Sequence, residues 1–177
     1  MKQWILSFWL IERFIRRHIA FSRLLYYKLP LIGRPLSAVV DRLLLYTYGI
    51  DLASHSIDVK SLSISHPCGI LLGGNGIVSS GRVAVMAGAK FVGRSPNDAE
   101  YLRRHREGRV FVLGDNVVIG ANSVVLGPID ICDNVVIGAL SLVNKSILEP
   151  GVYVGIPARK LTAEVSDEWV DHLKGVN

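Results

Sequence analysis

The residue types best suited to chemistry in this chain are an aspartate and a histidine fifteen positions apart, Asp51 and His66. Histidine can accept a proton from a hydroxyl group and return it at physiological pH. A carboxylate beside the ring orients it and stabilises its charged form. These residue types permit general-base chemistry but do not by themselves assign it to this pair. The competing interpretation is structural, with His66 as a hydrogen-bonded turn residue and Asp51 as a turn or cap residue.

A six-residue repeat in the C-terminal half predicts the scaffold that positions these residues. Its apolar members are Leu113, Ile119, Val125, Ile131, Ile137 and Val143. An α-helix has about 3.6 residues per turn and would scatter them around its axis, whereas a single strand has a period of about two. Stacked coils of short strands explain the spacing, so we expect an all-β solenoid, a parallel β-helix. Fifteen residues is close to one circuit, which would stack Asp51 near His66.

The segment before the repeat is expected to be helical. Residues 1–47 form this segment, with one helix over 3–28 and a second over 37–46. The pattern predicts that the second helix buries Val39, Val40, Leu43 and Leu44.

A charged insertion interrupts the repeat, and a C-terminal tail follows its last coil. Within the β-helix domain at 48–160, residues 94–109 introduce charge without apolar spacing and predict an extended loop, often a binding feature in solenoids. Residues 161–177 predict a tail with a short helix that covers the last coil. Ser166 is its candidate cap, and Trp169 and Leu173 are its candidate apolar contacts.

The positive charge of the chain is concentrated near its start. Residues 1–46 hold eight Lys and Arg against Glu12 and Asp41, a net of +6, whereas the remainder has a net of −1. No nucleic-acid-binding motif accompanies this charge, so no nucleic-acid partner is expected.

One face of the first helix combines Trp4, Phe8, Ile11 and Ile15, with basic residues largely elsewhere. This face predicts either packing on the solenoid or peripheral membrane contact through residues 1–28, and packing is slightly favoured. The two cysteines and the lack of a cleavage signal predict a cytoplasmic protein, peripheral at the inner face of the membrane if the helix binds there.

Three short segments resemble a known family. Tyr48-Gly-Ile-Asp51, then His66-Pro-x-Gly69, and the closing Gly155-Ile-Pro-Ala-Arg159 are similar to the serine acetyltransferase branch of the hexapeptide acyltransferases. The resemblance covers residues 48–160 and implies a left-handed parallel β-helix of three-sided coils. It also implies homotrimers with active sites between subunits, with His66 as the catalytic base and Asp51 as its partner.

The same resemblance implies a site for acetyl-CoA, the acyl donor, and no metal. Its candidate residues are Gly93, Ala121, Ala139, Gly155, Pro157, Arg159 and Lys160. Gly93 would meet the thioester end, the alanines would admit the pantetheine arm, and the two cations would pair with phosphates. Simple packing of the repeat explains the alanines equally well.

Departures from the family pattern concern the acceptor. Ser65 stands where the family has an aspartate, and Val110 stands where it has a second histidine, although Arg109 is retained. With the short N-terminal segment, these changes resemble bacterial capsule and O-antigen O-acetyltransferases. The predicted acceptor is therefore a sugar hydroxyl in surface polysaccharide synthesis. The alternatives are serine O-acetylation for cysteine synthesis and a non-catalytic scaffold.

The acceptor-binding residues implied are Ser65, His105 and Arg109, with the other arginines of the 94–109 loop lining the groove. A solvated charged loop is about as good an interpretation for each arginine. His105 is a rival general base, but it has no evident carboxylate partner.

Overall fold

The computed structural model describes residues 2–29, 31–95 and 97–173, with side chains from residue 11 onwards except that of residue 172. The helices are α1 (Lys2–Lys28), α2 (Gly33–Tyr48), the 3₁₀ turn η1 (Ser54–Ser56), α3 (Ala99–Arg106) and α4 (Trp169–Leu173). The first strands are β1 (Ile50–Leu52), β2 (Ile57–Ser65), β3 (Ile70–Gly73), β4 (Ile77–Met86), β5 (Lys90–Gly93), β6 (Phe111–Leu113) and β7 (Val117–Ile119). The remaining strands are β8 (Val124–Gly127), β9 (Ile129–Ile131), β10 (Val135–Ile137), β11 (Leu142–Val143), β12 (Gly151–Val154) and β13 (Arg159–Thr162).

Parallel pairing wraps the strands into a three-sided coil, which confirms the predicted parallel β-helix. Face 1 is the five-stranded sheet β1-β3-β5-β8-β11. Strands β2 and β4 are long enough to turn a corner. Their first halves join β6 and β9 as face 2, and their second halves join β7, β10 and β12 as face 3.

The strand register shows how the 94–109 loop is accommodated. In the later coils Phe111 pairs with Ile129 and Val117 with Val135, an offset of three hexads. Ile77 pairs with Phe111 at an offset that is longer by the length of the loop. The loop therefore projects from the corner between faces 1 and 2, and the coils before and after it remain stacked.

Alternating side chains fill the inside of the coil. Ile119, Val125 and Ile137 are fully buried there, and the rings of Phe91 and Phe111 meet edge to face at 5.1 Å. Burying each such aliphatic side chain contributes about 1.5–3 kcal/mol to the free energy of folding, so the interior stabilises the scaffold.

The helices α1 and α2 cover the N-terminal end of the coil. Ile15 and Ile19 of α1 join the solenoid core, as the packing interpretation predicted for Ile15. Trp4 and Phe8 belong to the part of α1 whose side chains lie outside the description. None of the helices in the described ranges has both the length and the apolar character needed to cross a bilayer.

The predicted buried face of α2 was wrong, except at Leu44. Its buried residues are Gly33, Ser37, Asp41 and Leu44, whereas Val39 is 62% exposed and Leu43 is 53% exposed. Hydrogen bonds explain why polar residues face inward. The Ser37 hydroxyl lies 2.9 Å from that of Ser22, and the Asp41 carboxylate accepts from the Ser54 amide at 2.9 Å.

The C-terminal tail is anchored differently from the expectation. Its helix spans only Trp169–Leu173 and packs on the outside of face 3 against β4 and β7, instead of covering the last coil as predicted. Residues 159–162 form β13, antiparallel to β12. Val170 is fully buried against face 3, whereas Trp169 is 40% exposed. The Asn116 side chain accepts from the Val170 amide at 3.0 Å and donates to the Ser166 carbonyl at 2.8 Å. The polar side chain of Asn116 therefore fixes the tail on the coil.

Candidate active site

The corner between faces 3 and 1 carries the predicted base, and we call it the His66 edge. It comprises the turns at 66–69, 87–89, 120–123, 138–141 and 155–158. Backbone hydrogen bonds of 2.8–2.9 Å link successive turns. The Gly88 amide donates to the Cys68 carbonyl, the Asn122 amide to the Ala87 carbonyl, and the Leu140 amide to the Ala121 carbonyl. The edge is therefore a continuous ladder of backbone along the solenoid.

One column of side-chain positions runs along this edge. On face 3 Ser65 pairs with Met86, Val85 with Ile119, Ile119 with Ile137, and Ile137 with Tyr153. Continuing these registers into the turns aligns His66, Ala87, Ala121, Ala139 and Gly155. Four predicted site residues thus share one column. Apart from the histidine, its members have a methyl group or no side chain, so a ligand could approach the backbone closely.

His66 is at the N-terminal end of that column. It is exposed and adopts a left-handed backbone conformation, with φ of 54°. Such a conformation is uncommon for residues other than glycine and is concentrated in turns and at functional sites. The tight turn after β2 therefore presents the imidazole to solvent at the corner.

Asp51 lies on face 1, beside this corner. It pairs with Leu71 across the β1–β3 ladder, and its neighbours Ile50 and Leu52 are buried, so its carboxylate points outward. The Arg42 guanidinium contacts that carboxylate at 3.4 Å, and both side chains are about half exposed. The pairing of Asp51 with His66 stays a prediction.

The two positions that depart from the family pattern are both buried. Ser65 is 6% exposed at the end of β2, and Val110 is completely buried before β6. A side chain on Gly127 would touch Val110 at 2.6 Å, which shows how closely the valine packs on the next coil. In this chain, Val110 is part of the core, and Ser65 is covered.

The corner between faces 1 and 2 carries the insertion, and we call it the loop edge. It comprises the turns at 53–56, 73–76 and 144–146, with residues 94–110 between them. Asp98 caps α3 by accepting the Tyr101 amide at 2.8 Å, and the Tyr101 hydroxyl donates to Asn75 at 2.8 Å. A side chain on Gly93 would lie 2.6 Å from the Tyr101 ring. Gly93 therefore gives the loop room to pack, a role beyond the predicted contact with the thioester.

Several loop arginines make internal contacts instead of lining an open groove. Arg104 is 9% exposed and forms an ion pair with Asp130. Arg94 donates to the Asn144 carbonyl, and Arg103 pairs with Glu107 in the next helical turn at 3.0 Å. His105 lies against the Tyr101 ring at 5.7 Å. The charges of α3 thus serve largely to hold the loop in place.

Arg109 lies in a cleft of about 630 Å³ on the loop edge. The cleft lies between the C-terminal half of α1, the turn at η1 and the end of the loop. Its polar lining comprises Arg23, Tyr27, His55, Ser56, Asp58, Ser79, Ser80, Glu107 and Arg109. This volume is within the usual range for small-molecule sites, and the mixture of hydroxyls and charges suits a polar ligand.

Sequence reasoning missed His55 in this cleft. Its ring stacks on Tyr26 at 4.2 Å, with an angle of 4° between the ring planes. Burial lowers the pKa of His55 and outweighs the opposing effect of the Asp41 carboxylate. The residue precedes the first inward isoleucine of β2, and no motif distinguishes it in the sequence.

The far end of the His66 edge leads to the two predicted phosphate-binding cations. Arg159 and Lys160 begin β13 and, together with Lys145, line a depression of about 210 Å³. The Lys160 ammonium donates to Glu149 at 2.9 Å, and this hydrogen bond raises the pKa of Lys160. Both residues are exposed, but Lys160 is already paired with Glu149, so Arg159 is the better placed of the two for an anionic ligand.

Comparison with known proteins supports the fold and the kind of protein. Residues 112–145 match the family described as bacterial transferase hexapeptide (six repeats). A serine acetyltransferase of Staphylococcus epidermidis is 30% identical over 148 residues, which are 83% of this chain and 65% of that protein. The chain therefore spans slightly less than two thirds of this curated relative.

Solved structures agree with the sequence comparison. Serine acetyltransferase of Neisseria gonorrhoeae has a TM-score of 0.69 at 24% identity, over 88% of this chain and 56% of that one. A serine acetyltransferase complex with CoA has a TM-score of 0.63 at 20% identity, over 81% of this chain and 54% of that one. Together with the hexapeptide match, these structures imply the left-handed β-helix that the resemblance predicted.

The predicted resemblance to polysaccharide O-acetyltransferases is not shown by these comparisons. Residues 112–145 thus match a hexapeptide-repeat family of bacterial transferases, and the chain as a whole is similar to serine acetyltransferases in sequence and fold.

Proposed function

We propose that this protein is an acetyl-CoA-dependent O-acetyltransferase with His66 as its general base. The observation that carries the proposal is the column on the His66 edge, which joins an exposed histidine to Ala121, Ala139 and Gly155. The names of its relatives, serine acetyltransferases, supply the reaction class.

The proposed reaction is a direct transfer between two bound substrates. His66 takes the proton from the acceptor hydroxyl as the oxygen attacks the thioester carbon. The new carbon–oxygen bond forms, the carbon–sulfur bond breaks, and the proton passes from the imidazole to the sulfur of CoA. Asp51 orients the imidazole and stabilises its charged form.

Acetyl-CoA is proposed to lie along the His66 edge as the acyl donor. Ala121, Ala139, Gly155 and Pro157 would flank the pantetheine arm. Gly93 is at the loop edge, so it would meet the thioester end only from a neighbouring subunit. The exposed Arg159 would pair with phosphates, with Lys160 contributing less because Glu149 already neutralises it. The solved CoA complex among the structural neighbours supports this donor.

The geometry of one chain supports a homotrimer. Face 1 lies between the His66 edge and the loop edge. Its outward side carries the charged Asp51 and Lys90 beside four apolar, half-buried residues, Leu71, Val124, Leu126 and Leu142. A cyclic trimer that turns face 1 toward its axis brings the His66 edge of each subunit to the loop edge of the next. The base and Arg109, which lie at different corners of one chain, would then face the same space.

Two acceptors remain candidates, each with its own support. The curated relatives favour L-serine. A sugar hydroxyl is favoured by the burial of Ser65 and Val110, because neither can offer the polar contact that the resemblance implies for an amino acid. The cleft around Arg109, of about 630 Å³, is also large enough for a sugar.

The deciding experiment measures thiol release from acetyl-CoA with the full-length protein. Parallel reactions contain L-serine, a panel of sugars, nucleotide sugars and oligosaccharides, or no acceptor, and mass spectrometry identifies the O-acetylated product. Turnover on serine selects the first acceptor, and turnover on a sugar selects the second. Isothermal titration with CoA alone provides the independent readout. Absence of both CoA binding and turnover would leave the scaffold interpretation.

A further inference from the structure

The helices at the N-terminal end expose an unusual amount of apolar surface. On α1, Phe14 and Phe21 are 50% and 53% exposed, and Leu24 is 55% exposed. On α2, Leu36, Val39, Leu43 and Tyr46 are 41–83% exposed, and the connector adds Leu31 and Ile32 at 97% and 63%. We call this set the apolar face. Concentrations of exposed apolar side chains on this scale mark interaction sites.

Helical spacing places these residues on one side of each helix. Phe14, Phe21 and Leu24 are seven and three residues apart, as are Leu36, Leu43 and Tyr46, with Val39 on the same stripe. The opposite sides carry the buried residues, with Ile15 and Ile19 of α1 and Leu44 of α2 in the solenoid core. The two stripes therefore turn away from the coil.

The two helices form one rigid layer. The His18 ring donates to the Val40 carbonyl at 2.8 Å, and the Ser22 and Ser37 hydroxyls are 2.9 Å apart. Arg23 ties α1 to the first coil by donating to the Ile57 carbonyl at 2.7 Å. The apolar face is thus preformed, so little conformational entropy would be lost on binding.

The charge around this face has one sign. Arg13, Arg17 and Lys28 are exposed on α1. Arg16, Arg34 and Arg42 are also exposed, but they line depressions between the helices and the coil. The acidic side chains of residues 11–29 and 31–48, Glu12 and Asp41, are both buried. Arg42 contacts Asp51, and the other exposed cations leave a strongly positive surface.

We propose that the apolar face docks on the surface of an anionic membrane, with its stripes in the headgroup region and its basic residues on lipid phosphates. Apolar burial combined with attraction to anionic lipid is the pattern of interfacial helices, and Lys and Arg side chains near such a surface supply that attraction. A second copy of this chain is the poorer occupant, because two faces with the same positive charge repel each other. The residues involved differ from the Ile11–Ile15 stripe, which is already covered.

The test is flotation of the full-length protein with vesicles. One set contains phosphatidylcholine with phosphatidylglycerol, and the other contains phosphatidylcholine alone. We expect binding to the anionic set that weakens in high salt, because salt screens the electrostatic part. The variant Phe21→Glu/Leu24→Glu/Leu43→Glu should reduce the bound fraction at least about tenfold, since it places three charges in the apolar layer.

The matched control is Leu148→Glu, which adds charge at a leucine that is 76% exposed, far along the chain from the apolar face. Circular dichroism checks that every variant is folded, and light scattering after size exclusion measures its assembly. The proposal fails if wild type does not float with anionic vesicles or if the triple variant floats equally well. A triple variant that only dissociates a larger assembly, without any vesicle binding, would identify a second copy as the occupant and also overturn it.

Discussion

The His66 edge and the loop edge are corners of the same coil, yet they differ in the size of their side chains and in the contacts these make. The His66 edge is composed of small residues and exposed backbone, with one imidazole at its start. The loop edge carries an insertion whose polar groups are mostly engaged, at Asp98, Tyr101 and Arg104, leaving Arg109 in the cleft. Under the proposed function, the corner with small residues would hold the long donor, and the corner with the insertion would select the acceptor. Four predictions test this division.

The largest effect is expected at the start of the His66 edge. His66→Ala should lower kcat by a factor of about 10²–10⁴, because proton transfer from the acceptor loses its base. The KM for acetyl-CoA should change little. Steady-state kinetics of thiol release, with the product-forming acceptor present, measures both constants.

The counterpart on the loop edge is His105→Ala. Its ring lies against Tyr101, so we expect a smaller change, expressed mainly in the KM of the acceptor. If His105→Ala abolished turnover and His66→Ala retained it, the assignment of roles to the two edges would be reversed.

A side chain added on the His66 edge should block the donor. Ala121→Leu is expected to raise the KM for acetyl-CoA about tenfold or more, because the larger side chain fills the space beside the backbone. Ala121→Ser is the matched small substitution and should bind CoA nearly normally. Isothermal titration with CoA checks both, and equal affinities would show that the donor lies elsewhere.

On the loop edge, the ion pair between Arg104 and Asp130 can be broken by substituting Asp130, the more exposed of the two residues. Asp130→Asn leaves the guanidinium of Arg104, whose side chain is 11% exposed, without its carboxylate. We expect a loss of about 1–3 kcal/mol in the free energy of unfolding, together with a higher acceptor KM. Urea unfolding and steady-state kinetics measure these changes.

Arg103→Ala is the control for that substitution, because it removes an exposed pair with Glu107. Exposed pairs within one helix contribute at most about 0.5 kcal/mol. A loss as large as that in Asp130→Asn would mean that the buried contact does not hold the loop.

The smallest effect is expected at the third corner of the coil, between faces 2 and 3. This corner serves as a reference for the other two. The Arg82 guanidinium hydrogen-bonds the Asp115 carboxylate at 2.6 Å and lowers the pKa of Asp115 to about 2. The pKa of Asp115 is lower in the folded protein than in the unfolded chain. The ion pair therefore stabilises the fold above about pH 4, and this stabilisation disappears as the pH falls toward about 2. Asp115 is 45% exposed, so after solvent screening we expect about 1 kcal/mol.

Urea unfolding of wild type and Asp115→Asn from pH 6 to pH 2 tests this. The variant should be less stable at pH 6, and the difference should shrink as the pH falls. A difference independent of pH would show that the carboxylate charge is not responsible. Thiol release should change little in this variant, because Asp115 is not among the residues that line the cleft proposed for the acceptor.

Local patterns in the sequence predicted the repeat far better than they predicted which helix face is buried. The six-residue spacing is repeated in every late coil, so each coil independently indicates the same strand and turn positions. Helix α2 has only one amphipathic pattern, and tertiary hydrogen bonds override it. Asp41 is buried because it accepts from the Ser54 amide, and Ser37 is buried because its hydroxyl pairs with that of Ser22. The same limitation applies to the tail, where Val170 rather than Trp169 became the anchor because Asn116 holds its amide.

The sequence by itself determined the β-helix and the position of the insertion, because these depend on spacing along the chain. It also indicated the candidate pair Asp51 and His66, through short motifs that resemble a known family. The tertiary structure decided that His66 shares a column with Ala121, Ala139 and Gly155, that Arg104 is an anchor, and that Arg109 lies at a different corner. It also decided which apolar residues of α1 and α2 remain exposed. These features depend on strand register and on the direction in which each helix is rotated. Both are set by contacts between segments distant in sequence, which no local pattern encodes.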